Sequence, residues 1–107
     1  MFLDIFPEQL ETWRDDKKAQ LIDVREPFEF ATAFIAESKN IPLSQILKRS
    51  NEISKDRPVL LICATGNRSG QIAHYLTENL GYTDVANLIG GVYGWQQQGR
   101  QVENKPC

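Results

Sequence analysis

The chain has 107 residues, a length suited to one compact domain and too short for two conventional ones. Hydrophobic residues make up 41% and charged residues 24%, enough apolar side chain to build a single core. The formal net charge of −2 offers no electrostatic footprint for nucleic acid or an anionic membrane, and no apolar run approaches the ~18 residues of a membrane-spanning helix.

Asp4, Pro7 and Glu8 interrupt the N-terminus, and no basic segment precedes an apolar one. It therefore lacks the pattern of a secretory leader, and a cytoplasmic location is the expectation. Pro7 to Arg14 begins with proline followed by acids, which predicts a helix start, with Trp13 in the core. Leu21-Ile22-Asp23-Val24 reads as a short buried strand. Pro27 opens a second helix carrying Phe30 and Phe34 on one side. Asn40-Ile41-Pro42 reads as a brief strand and Leu43 to Arg49 as a short helix.

Val59-Leu60-Leu61-Ile62-Cys63 is the strongest strand, apolar throughout as expected where both faces of a parallel sheet are covered. After the loop at Ala64–Arg68, Ser69 is placed to cap a helix whose Ile72, Ala73, Leu76 and Leu80 share one side, with Gly81 as its stop. Val85 to Ile89 follows as a strand, Gly90-Gly91 as a turn and Tyr93 to Gln98 as a final helix. This alternation predicts an α/β fold with a mostly parallel central sheet and helices on both faces, formed by residues 1–107 as one domain. Parallel sheets place ligand sites at the carboxyl ends of their strands, and the strongest strand ends at Cys63.

Only two cysteines occur, too few for a disulfide scaffold in so short a chain. Cys107, the last residue, reads as a mobile surface thiol; a role in receiving sulfur from Cys63 is the sharper alternative. Cys63 opens the run Cys63-Ala64-Thr65-Gly66-Asn67-Arg68-Ser69. Such a strand-to-helix loop can curl so that backbone N–H groups converge into an anion-binding nest. Gly66, and to a lesser degree Asn67, suit the positive-φ positions that the curl needs. The helix after Ser69 and the Arg68 guanidinium add positive charge, conditions that lower a cysteine pKa and make the thiolate a nucleophile. A buried inert cysteine is the plain alternative for a thiol ending an apolar strand. The glycine, the arginine and the following helix, taken together, favour the reactive reading.

Cys63-x-x-Gly66-x-Arg68-Ser69 resembles the active-site loop of single-domain rhodaneses. Three further landmarks stand in that family's order: Leu21 to Glu26, Asn40-Ile41-Pro42-Leu43, and Gly90-Gly91-Val92-Tyr93-Gly94-Trp95 with Gly99. The resemblance implies a rhodanese-like fold and a sulfurtransferase in which Cys63 takes sulfane sulfur from thiosulfate or a persulfide donor and passes it to a thiophilic acceptor. Ala64, Thr65, Gly66, Asn67, Arg68 and Ser69 would cradle the persulfide. It implies no metal and no cofactor; the partners would be small sulfur donors and acceptors, or a protein persulfide. One departure is visible. Residues 33–39, Ala33 to Lys39, stand where the family has a Gly-His-Ile-Pro-Gly type turn, so the turn before Asn40 is expected to differ in shape while the chemistry is kept.

Two rival readings carry different chemistry. A cysteine phosphatase or arsenate reductase also uses a thiolate in an amide cradle, but its signature resembles Cys, five residues, then Arg, whereas four separate Cys63 from Arg68. A non-catalytic interaction module of the same family is the second, against which the intact Cys63 speaks. Arg68 reads as orienting an anionic donor, and Asp23 with Arg25 as a structural ion pair or as partners in loop hydrogen bonds. His74, about 200° around its helix from Ile72, is expected to face solvent rather than act as a base. Tyr93 and Trp95 read as packing or as the pocket rim.

Overall fold

The computed structural model describes residues 1–105. Cys107, with its predicted role as a mobile thiol, lies outside the described residues.

Five strands form one sheet: β1 (Leu3–Ile5), β2 (Gln20–Asp23), β3 (Ser38–Asn40), β4 (Val59–Ile62) and β5 (Val85–Leu88). Their order is β1-β5-β4-β2-β3, and every neighbouring pair is parallel. Helices α1 (Pro27–Thr32), α2 (Asn67–Asn79) and α3 (Gly91–Gln97) accompany them. The α/β architecture predicted from the alternation of elements is thus the one observed. Among the described residues no helix is long and apolar enough to cross a membrane.

β4 is central, and all four of its side chains are inaccessible to solvent. Its alternation divides the core in two. Val59, Leu61 and Cys63 face α2, packing with Ile72, Ala73 and Leu76. Leu60 and Ile62 face the opposite layer, where Leu10, Trp13, Val92 and Trp95 cover them. Truncating any of these large aliphatic side chains to alanine costs about 2–5 kcal/mol.

Several elements differ from expectation. β1 was not anticipated: only Ile5 of its three residues is buried, and its partner β5 lies some eighty residues away in sequence. The helix expected over Pro7 to Arg14 is a 3₁₀ turn at Pro7–Gln9 leading to a π turn at Thr12–Asp16, a winding that puts Leu10 and Trp13 on the sheet together. β3 occupies Ser38–Asn40 rather than residues 40–42. Pro42 has no N–H for a ladder, and Ile41 instead turns into the core. The segment Leu43 to Arg49 is not one helix; 3₁₀ turns at Leu43–Gln45 and Ser50–Glu52 flank an irregular stretch. This path buries both Ile46 and Ile53 beside Tyr82, whose hydroxyl lies 3.0 Å from the Ser50 carbonyl and 2.6 Å from that of Ile53.

Ser69 does not cap α2. The helix begins two residues earlier at Asn67, with Gly66 at the cap position, so Asn67 and Arg68 belong to its first turn and Asn67 takes no left-handed conformation. Likewise α3 begins at Gly91, two residues before the predicted start, and Gly90 is its cap.

Candidate active site

Cys63 is the first residue beyond β4, between the carboxyl ends of β2 and β5. The first turn of α3 holds the chain as it leaves the sheet. Val92 N–H donates to the Cys63 carbonyl at 2.9 Å, and Tyr93 N–H to the Ala64 carbonyl at 3.0 Å. Because peptide N–H and C=O point opposite ways, turning these carbonyls toward α3 turns the following N–H groups into the loop. Gly66 completes the curl at φ +100°. A Cβ there would stand 3.1 Å from the Leu88 carbonyl and 3.2 Å from the Gly90 nitrogen, so both conformation and space favour glycine.

The sulfur lies inside this curl. Gly66 N–H donates to Cys63 Sγ at 3.0 Å, and the Ser69 hydroxyl lies 3.3 Å away. Burial pushes the Cys63 thiol up, but the Ser69 hydroxyl and the backbone N–H groups of Ser69, Gly66 and Thr65 outweigh it. The thiol is therefore held below its usual value. Ser69, misplaced by sequence as a cap, is fully buried as the third residue of α2 and directs its side chain at the sulfur.

Of the predicted loop, Ala64 is buried, while Thr65 and Asn67 stand exposed at the lip. Arg68 is engaged. Its guanidinium reaches both carboxylate oxygens of Glu29 on α1 at 3.3 Å, a contact that raises its pKa, as does the field of Cys63. Burial pushes the Glu29 carboxyl up, yet Arg68 and the Glu26 N–H bring it below the usual range. Glu29 went unnoticed in the sequence; an acid in a helix's first turn is too common to single out.

Asp23 and Arg25 form the ion pair that the sequence suggested, at 2.8 Å and almost wholly buried. Arg25 also donates to the carbonyls of Ala33 at 2.6 Å and Glu29 at 3.3 Å, fastening α1, and with it the Glu29 carboxylate, to the end of β2. Tyr93 is exposed at the rim, Trp95 is buried, and His74 faces solvent away from the sulfur. A cleft of about 250 Å³ lies between α1 and α3, bounded by Phe28, Glu29, Tyr93 and Gln96. Cys63 itself has no solvent-accessible surface. Among the described residues, no group of three or more His, Cys, Asp or Glu side chains is arranged to hold a metal ion.

Asn87 was also missed, although a polar residue inside Val85-Ala86-Asn87-Leu88 is a visible irregularity. It is buried on β5 on the α2 side of the sheet. Its Nδ2 donates to Asp4 Oδ1 at 3.1 Å and to the Gly66 carbonyl at 3.2 Å, and its Oδ1 accepts the Ser69 hydroxyl.

Comparison with known proteins agrees with this geometry. A family model described as the rhodanese-like domain matches residues 6–98. The chain is 52% identical over 79 residues to the uncharacterized protein YqhL of Bacillus subtilis, an alignment covering 74% of this chain and 62% of that one. It is 39% identical over 88 residues to a protein of Allochromatium vinosum named sulfurtransferase, covering 82% and 81% of the two chains. Among solved structures, a rhodanese-related protein from Thermoplasma volcanium superposes with a TM-score of 0.82 at 31% identity, over 95% of this chain and 98% of that one. The chain spans less than two thirds of the Bacillus relative's length.

Proposed function

The chain belongs to the rhodanese-like domain family, and on that footing we propose that it is a sulfurtransferase in which Cys63 carries sulfur as a persulfide. The observation that carries this reading is the sulfur itself, at the end of the central strand, receiving the Gly66 N–H and facing the Ser69 hydroxyl in a loop that favours the thiolate.

In the proposed reaction, the Cys63 thiolate attacks the outer sulfur of thiosulfate. The bond between the two thiosulfate sulfurs breaks, its electron pair leaves with sulfite, and Cys63–S–S⁻ remains. An acceptor thiolate or cyanide then attacks the terminal sulfur and returns Cys63 to the thiolate. This is two-step covalent catalysis, with the loop N–H groups stabilising charge where it develops. Arg68 would meet the anionic donor by exchanging its Glu29 contact for the donor's oxygens, which adapts the sequence-based role of this residue to its paired state. Ala64, Thr65 and Asn67 would shape the lip. The in vivo donor would be thiosulfate or a persulfide on a partner protein.

The enclosure of Cys63 at rest gives a second reading some support, that of a module which binds partners without turnover. Mass spectrometry separates the two. After incubation with thiosulfate, intact protein should gain the mass of one sulfur, mapped to Cys63; Cys63→Ser should lose both adduct and turnover, and Cys107→Ser should keep both. Absence of an adduct with thiosulfate and with a small-molecule persulfide would leave only the binding module. Full activity in Cys63→Ser would overturn the proposal outright.

A further inference from the structure

The Ser69 hydroxyl has one proton and three acceptors within reach: Cys63 Sγ at 3.3 Å, the Gly66 carbonyl at 3.4 Å, and Asn87 Oδ1. The Gly66 carbonyl already receives the Gly70 N–H and the Asn87 amide, both at 3.2 Å, so it does not depend on Ser69. The contest is between the sulfur and Asn87.

The orientation of the Asn87 amide is fixed by its other neighbours. Asp4 Oδ1 and the Gly66 carbonyl are both acceptors, so the NH₂ group must face them and Oδ1 must face Ser69. Strand pairing builds this in, since Asp4 on β1 lies directly opposite Asn87 on β5. A protonated or otherwise uncharged Sγ is a weak acceptor, whereas a thiolate makes a charge-assisted bond that is stronger than a neutral one.

We propose that Asn87 is a positioning residue which holds the Ser69 proton while Sγ is uncharged, yields it when Sγ is a thiolate, and so favours the sulfur-loaded enzyme over the empty one. The proposal rests on the sulfur-transfer reading above. In the empty thiolate, the Ser69 hydroxyl turns to Sγ and the buried Asn87 oxygen loses its donor, which is unfavourable. In Cys63–S–S⁻ the charge sits on the outer sulfur, Sγ is neutral, and the proton returns to Asn87. The Asn87 bond is therefore kept in the loaded form and given up in the empty one. Atoms and charge balance, since thiolate and thiosulfate give persulfide anion and sulfite.

Other charged or titratable groups near the sulfur are Arg68 on α2, Asp23 at the end of β2, Arg25 just beyond it, Glu29 on α1, Asp4 on β1 and Tyr93 on α3. Asn87→Val also takes the amide donor from Asp4 and from the Gly66 carbonyl, so the double variant with Ser69→Ala is the control that isolates the Ser69 contest. The test titrates Cys63 through thiolate ultraviolet absorbance, with no sulfur donor present. Asn87→Val removes the competing acceptor in a strand-compatible shape and should lower the Cys63 pKa by roughly half a unit to one unit. Ser69→Ala should raise it, and the double variant should match Ser69→Ala alone. A merely structural Asn87 would give a rise or no change in Asn87→Val, and either result overturns the proposal.

At a fixed thiosulfate-to-sulfite ratio, the loaded-to-empty ratio read by intact mass should fall roughly three- to tenfold in Asn87→Val. In otherwise unaltered protein, the Asn87 side-chain amide resonance should move with the Cys63 midpoint and stay still in Ser69→Ala. That measurement stands even if position 87 tolerates no substitution, and movement that persists in Ser69→Ala counts against the relay. Failure of the sulfur-transfer reading would appear separately, as the absence of any adduct on the parent protein.

Discussion

Gly91 packs so closely on Cys63 that a Cβ there would stand 2.3 Å from the Cys63 carbonyl oxygen, and 2.6 Å from the Ala64 carbonyl carbon. Both neighbours are backbone, so neither can swing aside. The same contact lets Val92 and Tyr93 hold the two carbonyls that aim the loop N–H groups. Gly91→Ala should therefore damage stability and the thiolate together. We expect a loss of roughly 3 kcal/mol or more in denaturant unfolding, with a Cys63 titration moved back toward the ordinary thiol range. An alanine variant with parental stability would show that α3 does not brace the loop.

On the proposed reading, Glu29 would compete with an anionic donor for Arg68. Glu29→Gln removes the negative charge yet leaves an oxygen for the Glu26 N–H, now 3.0 Å from Oε1. The pair is partly exposed, so the competition is modest. KM for thiosulfate should fall about two- to fivefold with kcat little changed, while Arg68→Ala should raise it. Steady-state kinetics at constant ionic strength would decide, and a higher KM in Glu29→Gln would mean that the carboxylate helps binding instead.

What was legible in the sequence is what the chain keeps local. Cys63, Gly66, Arg68 and Ser69 lie within seven residues, and the apolar run before them marks a buried strand, so the candidate nucleophile and its loop are readable before any folding is considered. The strong helical spacing of Ile72, Ala73 and Leu76 likewise identifies α2. Ser69 misled because serine is a good cap by composition, while Gly66 took the cap position through a backbone conformation that sequence only hints at. The partners that refine the site come from afar. Glu29 reaches Arg68 across 39 residues and Asp4 reaches Asn87 across 83, and no local pattern announces either meeting. β1 is three residues long with one buried side chain, too short for any periodicity.

The atypical segment 33–39 can be read in the same terms. Glu37 adopts φ +72°, so the turn keeps a left-handed residue without using glycine there. Its ion pair with Arg14, at 3.8 Å, is exposed on the Glu37 side and contributes little. A non-glycine residue in this conformation costs about 1–2 kcal/mol, partly offset because glycine gains freedom in the unfolded chain. Glu37→Gly should stabilise the protein by roughly 0.5–1 kcal/mol and leave sulfur transfer unchanged. Thermal and denaturant unfolding, with a parallel activity assay, test both halves; a destabilised variant would mean that the Glu37 side chain contributes more than its contacts indicate.

The state of the Cys63 thiol should also be visible in stability alone. Burial pushes the thiol up, but the Ser69 hydroxyl and the N–H groups of Ser69, Gly66 and Thr65 bring it below its usual value. A group whose pKa is depressed by folding binds fewer protons in the native state than in the unfolded chain. Its stabilising contribution is complete above the unfolded pKa and is lost as pH falls through the folded value. Cys63→Ala removes this contribution and adds only a small packing loss that does not vary with pH. In a Cys107→Ser background, the unfolding free-energy gap between parent and Cys63→Ala should widen as pH rises through the folded pKa toward the unfolded value of about 8.5, then level off. Its slope cannot exceed about 1.4 kcal/mol per pH unit for one proton. Because the gap depends on no substrate, a flat profile would exclude a depressed thiol whatever the assays of sulfur transfer showed. A gap that stayed level up to about pH 8.5 and narrowed above it would mean that burial outweighs the hydrogen bonds.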